Sequence, residues 1–179
     1  GNHRASSHRN QTVSAGHLDV YKMEPSVTPC NRIRLPDGRS LAYTEYGDRS
    51  GKPVFFFHGT PSSRLLRPDD AIAASLGARI VTADRPGFGL SDFQPERTLL
   101  DWPDDAAALA DHLSIDRFAV VGISGGGPYV AACAFKIPHR LTTAAIVSGV
   151  GPTDVPGLAQ DMSKLRRAGI AVGRQAPWL

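Results

Sequence analysis

FAVVGISGGGPYVAACAF, residues 118–135, runs from a short apolar segment through a cluster of glycines into a row of small side chains. Phe118 to Val121 predicts a buried strand, and Tyr129 to Phe135 predicts a helix that must end near Pro138. Between them, Gly122-x-Ser124-x-Gly126 matches G-x-S-x-G, the strand-to-helix turn that lifts a serine to its apex. The logic of that motif is steric. The serine takes a strained backbone conformation, and a glycine on either side lets strand and helix pass closely. A glycine-rich phosphate loop is the competing reading. It is disfavoured, because no lysine follows as in a Walker-type loop and no G-x-G-x-x-G opens the first strand–helix unit.

The chain on either side supplies the context such a turn needs. Asn31 to Asp48 reads as two strands around an Asp37-Gly38 turn, with Ile33 and Leu35, then Leu41, Tyr43 and Glu45, in alternation. Pro53-Val54-Phe55-Phe56-Phe57 is a continuous apolar run, as in a strand buried on both faces of a parallel sheet. A helix is predicted over Arg67 to Leu76, with Gly77 past its end, and a strand over Arg79 to Ala83. After the Asp84-Arg85-Pro86-Gly87-Phe88-Gly89 turn, a second helix is predicted over Thr98 to Leu113, with Pro103 tolerated in its first turn. Leu141 to Val147 is a further strand. Strands alternating with helices predict the α/β class, a mostly parallel sheet with helices on both faces.

Composition narrows the classes. The 179 residues suit one domain, with 41% hydrophobic and 21% charged residues and a net charge of +3. No stretch approaches 18 apolar residues, so no membrane span is expected. The small charge is a weak argument for nucleic acid, and no such partner is expected. Cys30 and Cys133 cannot make a disulfide framework, which favours a reducing, cytoplasmic compartment. Residues 1–28 are polar and patternless and read as a disordered tail. His3, His8 and His17 could form a metal tract, but their spacing is irregular, and neither metal nor cofactor is expected. The chain opens on Gly, as a processed terminus or a piece of a longer protein would.

His58-Gly59-Thr60-Pro61 ends the first buried strand, at the same sheet edge as Ser124. Acyl transfer at Ser124 needs two backbone N–H donors aimed at the developing oxyanion. Gly125, following the nucleophile, is one candidate, and Thr60 in the facing loop is the other. His58 and Gly59 are candidate substrate-binding positions in that loop. His58 also reads as a residue that braces it.

FFFHGTPSS, DRPGFGLSD, LLDWPDDAAALADHL and FAVVGISGGGPYVAACA, in this order and at these intervals, resemble the α/β-hydrolase superfamily over residues ~31 to 155. The resemblance implies a twisted eight-stranded sheet with a cap after the sixth strand. On that scheme residues 29–150 supply strands one to six, and residues 151–179 begin the cap, which is left incomplete. It also implies a structural role for Asp84 to Gly89. Members resembling epoxide hydrolases or dehalogenases carry Asp at the elbow, so Ser124 implies a small-molecule acyl substrate, an ester or amide, attacked through an acyl-enzyme.

The triad order in this fold is Ser, then Asp or Glu, then His. After Ser124 comes only His139, ~20 Å down the helix by its rise per residue, and His112 also points to the wrong edge. Asp154 is a weak candidate for the acid, and Asp161 reads as solvated surface. The chain alone is therefore expected to show little or no turnover. The alternative is a catalytically inactive, hydrolase-like binding or remnant protein.

Overall fold

A computed structural model describes residues 21–22 and 30–152. In chain order its elements are β1 (Tyr21–Lys22), β2 (Asn31–Arg34), β3 (Ser40–Gly47), β4 (Lys52–Phe57), β5 (Arg67–Pro68), α1 (Asp70–Ser75), β6 (Ala78–Ala83), α2 (Trp102–His112), β7 (Phe118–Ile123), α3 (Gly127–Lys136) and β8 (Leu141–Val147). The expected polar tail, apart from β1, lies outside the described residues, as do His3, His8 and His17. So do Asp154, Asp161 and nearly all of the expected cap.

Six strands form one sheet in the order β2-β3-β6-β4-β7-β8. β6, β4, β7 and β8 pair in parallel, and β3 runs against both its neighbours. The Asp37-Gly38 turn closes the β2–β3 hairpin as predicted. Gly38 sits at φ 88°, a left-handed conformation that glycine takes without a Cβ penalty. The hairpin is tied to α2 by Arg39, whose guanidinium meets both oxygens of the buried Asp105 at 3.0 and 2.7 Å. Burial raises the Asp105 pKa, and Arg39 opposes that rise.

β4 explains the core. Phe55 and Phe57 face α2 and α3, where Phe55 stacks on Phe118 at 4.3 Å and Phe57 meets Trp102 edge-on at 5.4 Å. Phe56 faces α1 with Tyr46, Ala73 and Ile80. All three phenylalanines are buried, each contributing ~1.5–3 kcal/mol of apolar burial. A run without alternation therefore fits a strand covered on both faces. β3 departs from the expected alternation for the same reason: Leu41 to Thr44 are all buried. β3 is an internal strand, lying between β2 and β6.

Two helix starts differ from the sequence reading. The helix expected from Arg67 begins at Asp70, with Asp69 as its N-cap accepting from the amides of Ala71 and Ile72. Arg67 precedes proline, which disfavours helical backbone, and Arg67–Pro68 pair instead with Tyr21–Lys22. That pairing also places a short strand inside the stretch read as patternless. The helix expected from Thr98 begins at Trp102. Asp101 turns back to accept from Thr98 N and Oγ1 at 2.5 and 2.9 Å, so the chain closes a local turn before the helix begins.

Candidate active site

β7 and β4 are neighbours, with Gly122 opposite Phe57, so the residues just beyond them share one end of the sheet. Ser124 follows β7 at φ 50°, outside the usual range for a side chain with a Cβ. It opens a 3-10 turn, Ser124–Gly126, that leads into α3. The glycines around it have no room for a side chain. A Cβ on Gly122 would stand 2.5 Å from the Gly126 carbonyl oxygen, and one on Gly126 would stand 2.2 Å from that of Phe57. Val150 N donates to Ser124 O at 3.1 Å, tying the segment after β8 to the turn. Strand and helix thus hold Ser124 in its strained conformation, half-buried at the sheet edge.

The loop after β4 closes over this turn. A Cβ on Gly59 would stand 3.4 Å from Ser124 Cβ and 3.9 Å from its Oγ. A Cβ on Gly125 would stand 2.6 Å from Thr60 Oγ1 and 3.2 Å from Thr60 N. Thr60 and Gly125 backbones are therefore adjacent, and Ser124 lies beside them. Ser124, Thr60, Gly125 and Gly59 form one cluster. The side chain of His58 turns away into the protein.

His58 is only 1% exposed. Its Nδ1–H donates to Gly59 O at 2.8 Å, and Nε2 faces Arg85 N at 3.5 Å. The ring also meets Phe88 edge-on at 5.3 Å. Burial, and then the nearby Arg85 charge, push the His58 pKa down to about 4. The folded chain thus holds a neutral imidazole, while the unfolded chain binds a proton on it below ~6.5. The unfolded state binds more protons between these values, so this contribution is complete above pH ~6.5 and is lost as pH falls toward 4. We expect His58 to make the folded state about 3 kcal/mol less stable near pH 4 than near pH 7. Urea midpoints of wild type and His58→Gln across pH 4–7 check this, because the two curves should converge toward low pH. Parallel curves would show that His58 does not carry the effect.

The other described imidazoles lie away from the site. His112 ends α2 against Tyr43, at 6.1 Å between rings, and His139 lies in the exposed 3-10 turn that follows α3. Both helices run back across the sheet, so their C-terminal ends reach the opposite edge. Among the described residues, no imidazole is hydrogen-bonded to Ser124 Oγ. Beside the elbow, Leu99, Pro128, Ala131, Ile146 and Val150 line an apolar groove of about 680 Å³, and Ser124 is not on its wall. Among the described residues no helix is long and apolar enough to cross a membrane. Nor do three or more of their His, Cys, Asp or Glu side chains cluster as a metal site would.

The sequence reading gives Asp84 to Gly89 a structural role but does not single out Arg85. Its Cα lies in the turn after β6, and its fully buried guanidinium folds onto the carbonyls of His58 and Gly59. The local sequence gives no sign of this long-range reach. A cation directly after a strand end, at the sheet edge that carries the site, is the only hint.

The comparisons agree with this geometry. The family model described as alpha/beta hydrolase fold matches residues 52–171. A non-heme chloroperoxidase of Streptomyces lividans is 34% identical over 156 residues, 79% of this chain and 55% of that protein. A bifunctional esterase/perhydrolase of Acinetobacter calcoaceticus is 33% identical over 127 residues, 67% of this chain and 45% of that protein. A thermophilic esterase of Thermogutta terrifontis, solved with malate bound, superposes with a TM-score of 0.61 at 28% identity, covering 84% of this chain and 56% of that one. The chain thus spans about half the length of these relatives. With the family model matching well over half of it and the elbow built as described, the chain belongs to the alpha/beta hydrolase family.

Proposed function

We propose that this chain carries the nucleophile and the oxyanion donors of a serine hydrolase. It would act on an ester, amide or related acyl carbonyl through an acyl-enzyme at Ser124. One observation carries the reading: Ser124 at φ 50°, beside the adjoining backbones of Thr60 and Gly125. Attack by Ser124 Oγ on the carbonyl carbon, its proton passing to a general base that later gives it to the leaving group, forms a tetrahedral intermediate. The N–H groups of Thr60 and Gly125 then receive its oxyanion, each such donor lowering the barrier by ~3–4 kcal/mol. Collapse expels the alcohol or amine and leaves the acyl group on Ser124. Water then releases it as an acid. His58 and Gly59 would shape the acyl side of the site through backbone, the His58 ring serving as a brace. Free Cys30 and Cys133 fit a reducing, cytoplasmic setting.

A fluorophosphonate probe on the folded chain, read by peptide mass with circular dichroism as the fold control, tests the reading. Slow labelling at Ser124, lost in Ser124→Ala, is the expected result, because Oγ attacks the probe as well and no base among the described residues activates it. Turnover additionally needs a base. None reaches Ser124 Oγ among the described residues, so the 179-residue chain should hydrolyse p-nitrophenyl butyrate little faster than Ser124→Ala. A burst with Ser124-dependent turnover would overturn that expectation. A second reading is a hydrolase-like fold used for binding. A folded chain that resists the probe would favour it.

A further inference from the structure

We propose that Arg85 is the positioning residue of this site. Its guanidinium clamps the loop after β4 so that Thr60 N–H stays beside Gly125 N–H. The proposal rests on the hydrolase reading and adds to it a residue that touches neither substrate nor nucleophile.

The contacts converge on one loop. Arg85 Nη1 donates to His58 O. Nη2 donates to Gly59 O at 3.2 Å and to Thr60 Oγ1 at 3.3 Å. The main chain of Arg85 adds a weak contact, with its N–H facing His58 Nε2 at 3.5 Å. Three successive residues, 58 to 60, are thus held by one side chain from a different strand end. The same guanidinium lies over Phe88 at 5.1 Å and over Tyr129 at 4.6 Å. Tyr129 belongs to α3, whose N-terminus follows the elbow. Arg85 therefore links the loop that carries one proposed donor to the helix behind the other.

Its environment is unusual for a cation. Arg85 is 0% exposed, and among the described residues no carboxylate lies within ion-pair distance of it. The neighbouring Asp84 carboxylate is taken by Arg64 and the Leu90 amide. Burying a charge without a counter-ion is costly, so an ion pair does not account for Arg85. Carbonyl oxygens and aromatic faces hold it instead, in an arrangement that a planar fork can satisfy and an ammonium cannot. A positive charge behind this loop also favours negative charge in front of it, which is where the oxyanion would form.

Arg85→Lys keeps the charge and loses the fork, and Arg85→Met loses both without orphaning a carboxylate. Two readouts apply to each variant, after circular dichroism confirms the fold. One is fluorophosphonate labelling at Ser124, resolved into probe affinity and the rate of inactivation. The other is amide hydrogen exchange at Gly59 and Thr60. We expect inactivation to slow about 10-fold in Arg85→Lys and about 100-fold in Arg85→Met, the scale of one lost oxyanion donor. Probe affinity should hold within about 2-fold, since ground-state binding does not use the donors. Exchange at Gly59 and Thr60 should rise in both variants while α3 and β7 stay protected. Wild-type rates and wild-type exchange in folded variants would overturn the proposal. So would exchange that rises uniformly across the sheet, because Arg85 would then only pack the core. If the wild type itself resists the probe, the hydrolase reading fails, and loop exchange alone decides the role of Arg85.

Discussion

Asp84→Ala should destabilise the chain by about 3–5 kcal/mol, the cost of breaking a buried ion pair by removing one partner. Asp84 is 0% exposed, and each of its carboxylate oxygens is used. Oδ1 accepts from Arg64 N at 2.6 Å. Oδ2 accepts from Arg64 Nη1 at 2.8 Å and from Leu90 N at 2.9 Å. Alanine would leave the Arg64 guanidinium, 6% exposed, as an uncompensated buried charge. Two backbone amides would lose their acceptor as well. Gly89 shows how closely the carboxylate is enclosed: a Cβ there would stand 2.1 Å from Asp84 Oδ2, and its φ of 52° already suits glycine. Asp84→Asn keeps the shape and one acceptor, so it should cost less than the alanine variant but remain destabilising. Urea unfolding with an unchanged m-value checks this, and a loss below about 1 kcal/mol for Asp84→Ala would refute it.

Gly126→Ala should cost about 3 kcal/mol or more, at the upper end of overpacking penalties. The added methyl would meet Phe57 O at 2.2 Å, Phe57 C at 2.9 Å and His58 O at 3.0 Å. These are backbone atoms of β4 and the residue after it, inside the sheet, and they cannot rotate aside. α3 would have to lift from the sheet, carrying Gly125 away from Thr60. Labelling of Ser124 should therefore fall even in whatever fraction stays folded. Gly127→Ala is the milder comparison, because its methyl would meet Cγ2 of the 53% exposed Ile146 at 2.9 Å and Gly149 Cα at 3.0 Å, in the exposed segment after β8 and not inside the sheet. Thermal unfolding of the two variants should separate them clearly. Equal losses would mean that the close approach at Gly126 is not special.

The elbow was legible because its requirement is local and steric. Gly122, Ser124 and Gly126 mark where backbone must pass backbone, and only glycine permits that. β4 was legible because three consecutive phenylalanines leave no face for water. The helix starts were less so. Nothing near Arg67 announces that it pairs with Tyr21–Lys22, some 45 positions upstream by chain numbering. Asp101 resembles an early-helix acid, and only the structure shows it turned back to Thr98. In β3 the sequence shows an alternation of Leu41, Tyr43 and Glu45. The side chain of Glu45 is covered even so, and its charge is met by Arg79 at 2.6 Å. Arg85 was hidden for the most general reason. Its neighbours in sequence make a turn, while its partners lie 25 to 27 positions earlier.

The strand order constrains how the molecule can assemble. β3 and β4 follow one another in the chain, yet β6 lies between them in the sheet. Adding strands to a growing edge in chain order cannot build this arrangement. β4 has no partner before β6 and β7 are made, so the gap between it and β3 closes only after α1 has been traversed. Until then the facing edges of β3 and β4 have no partners for their backbone groups. Closing that gap is a natural bottleneck, since it fixes several long loops at once. A ribosome exposing residues up to about Ser75 would therefore hold out a β2–β3 hairpin with one open edge and a β4 segment with no partner. Emergence of Ala78–Ala83 would then be the event that commits the nascent chain to its fold.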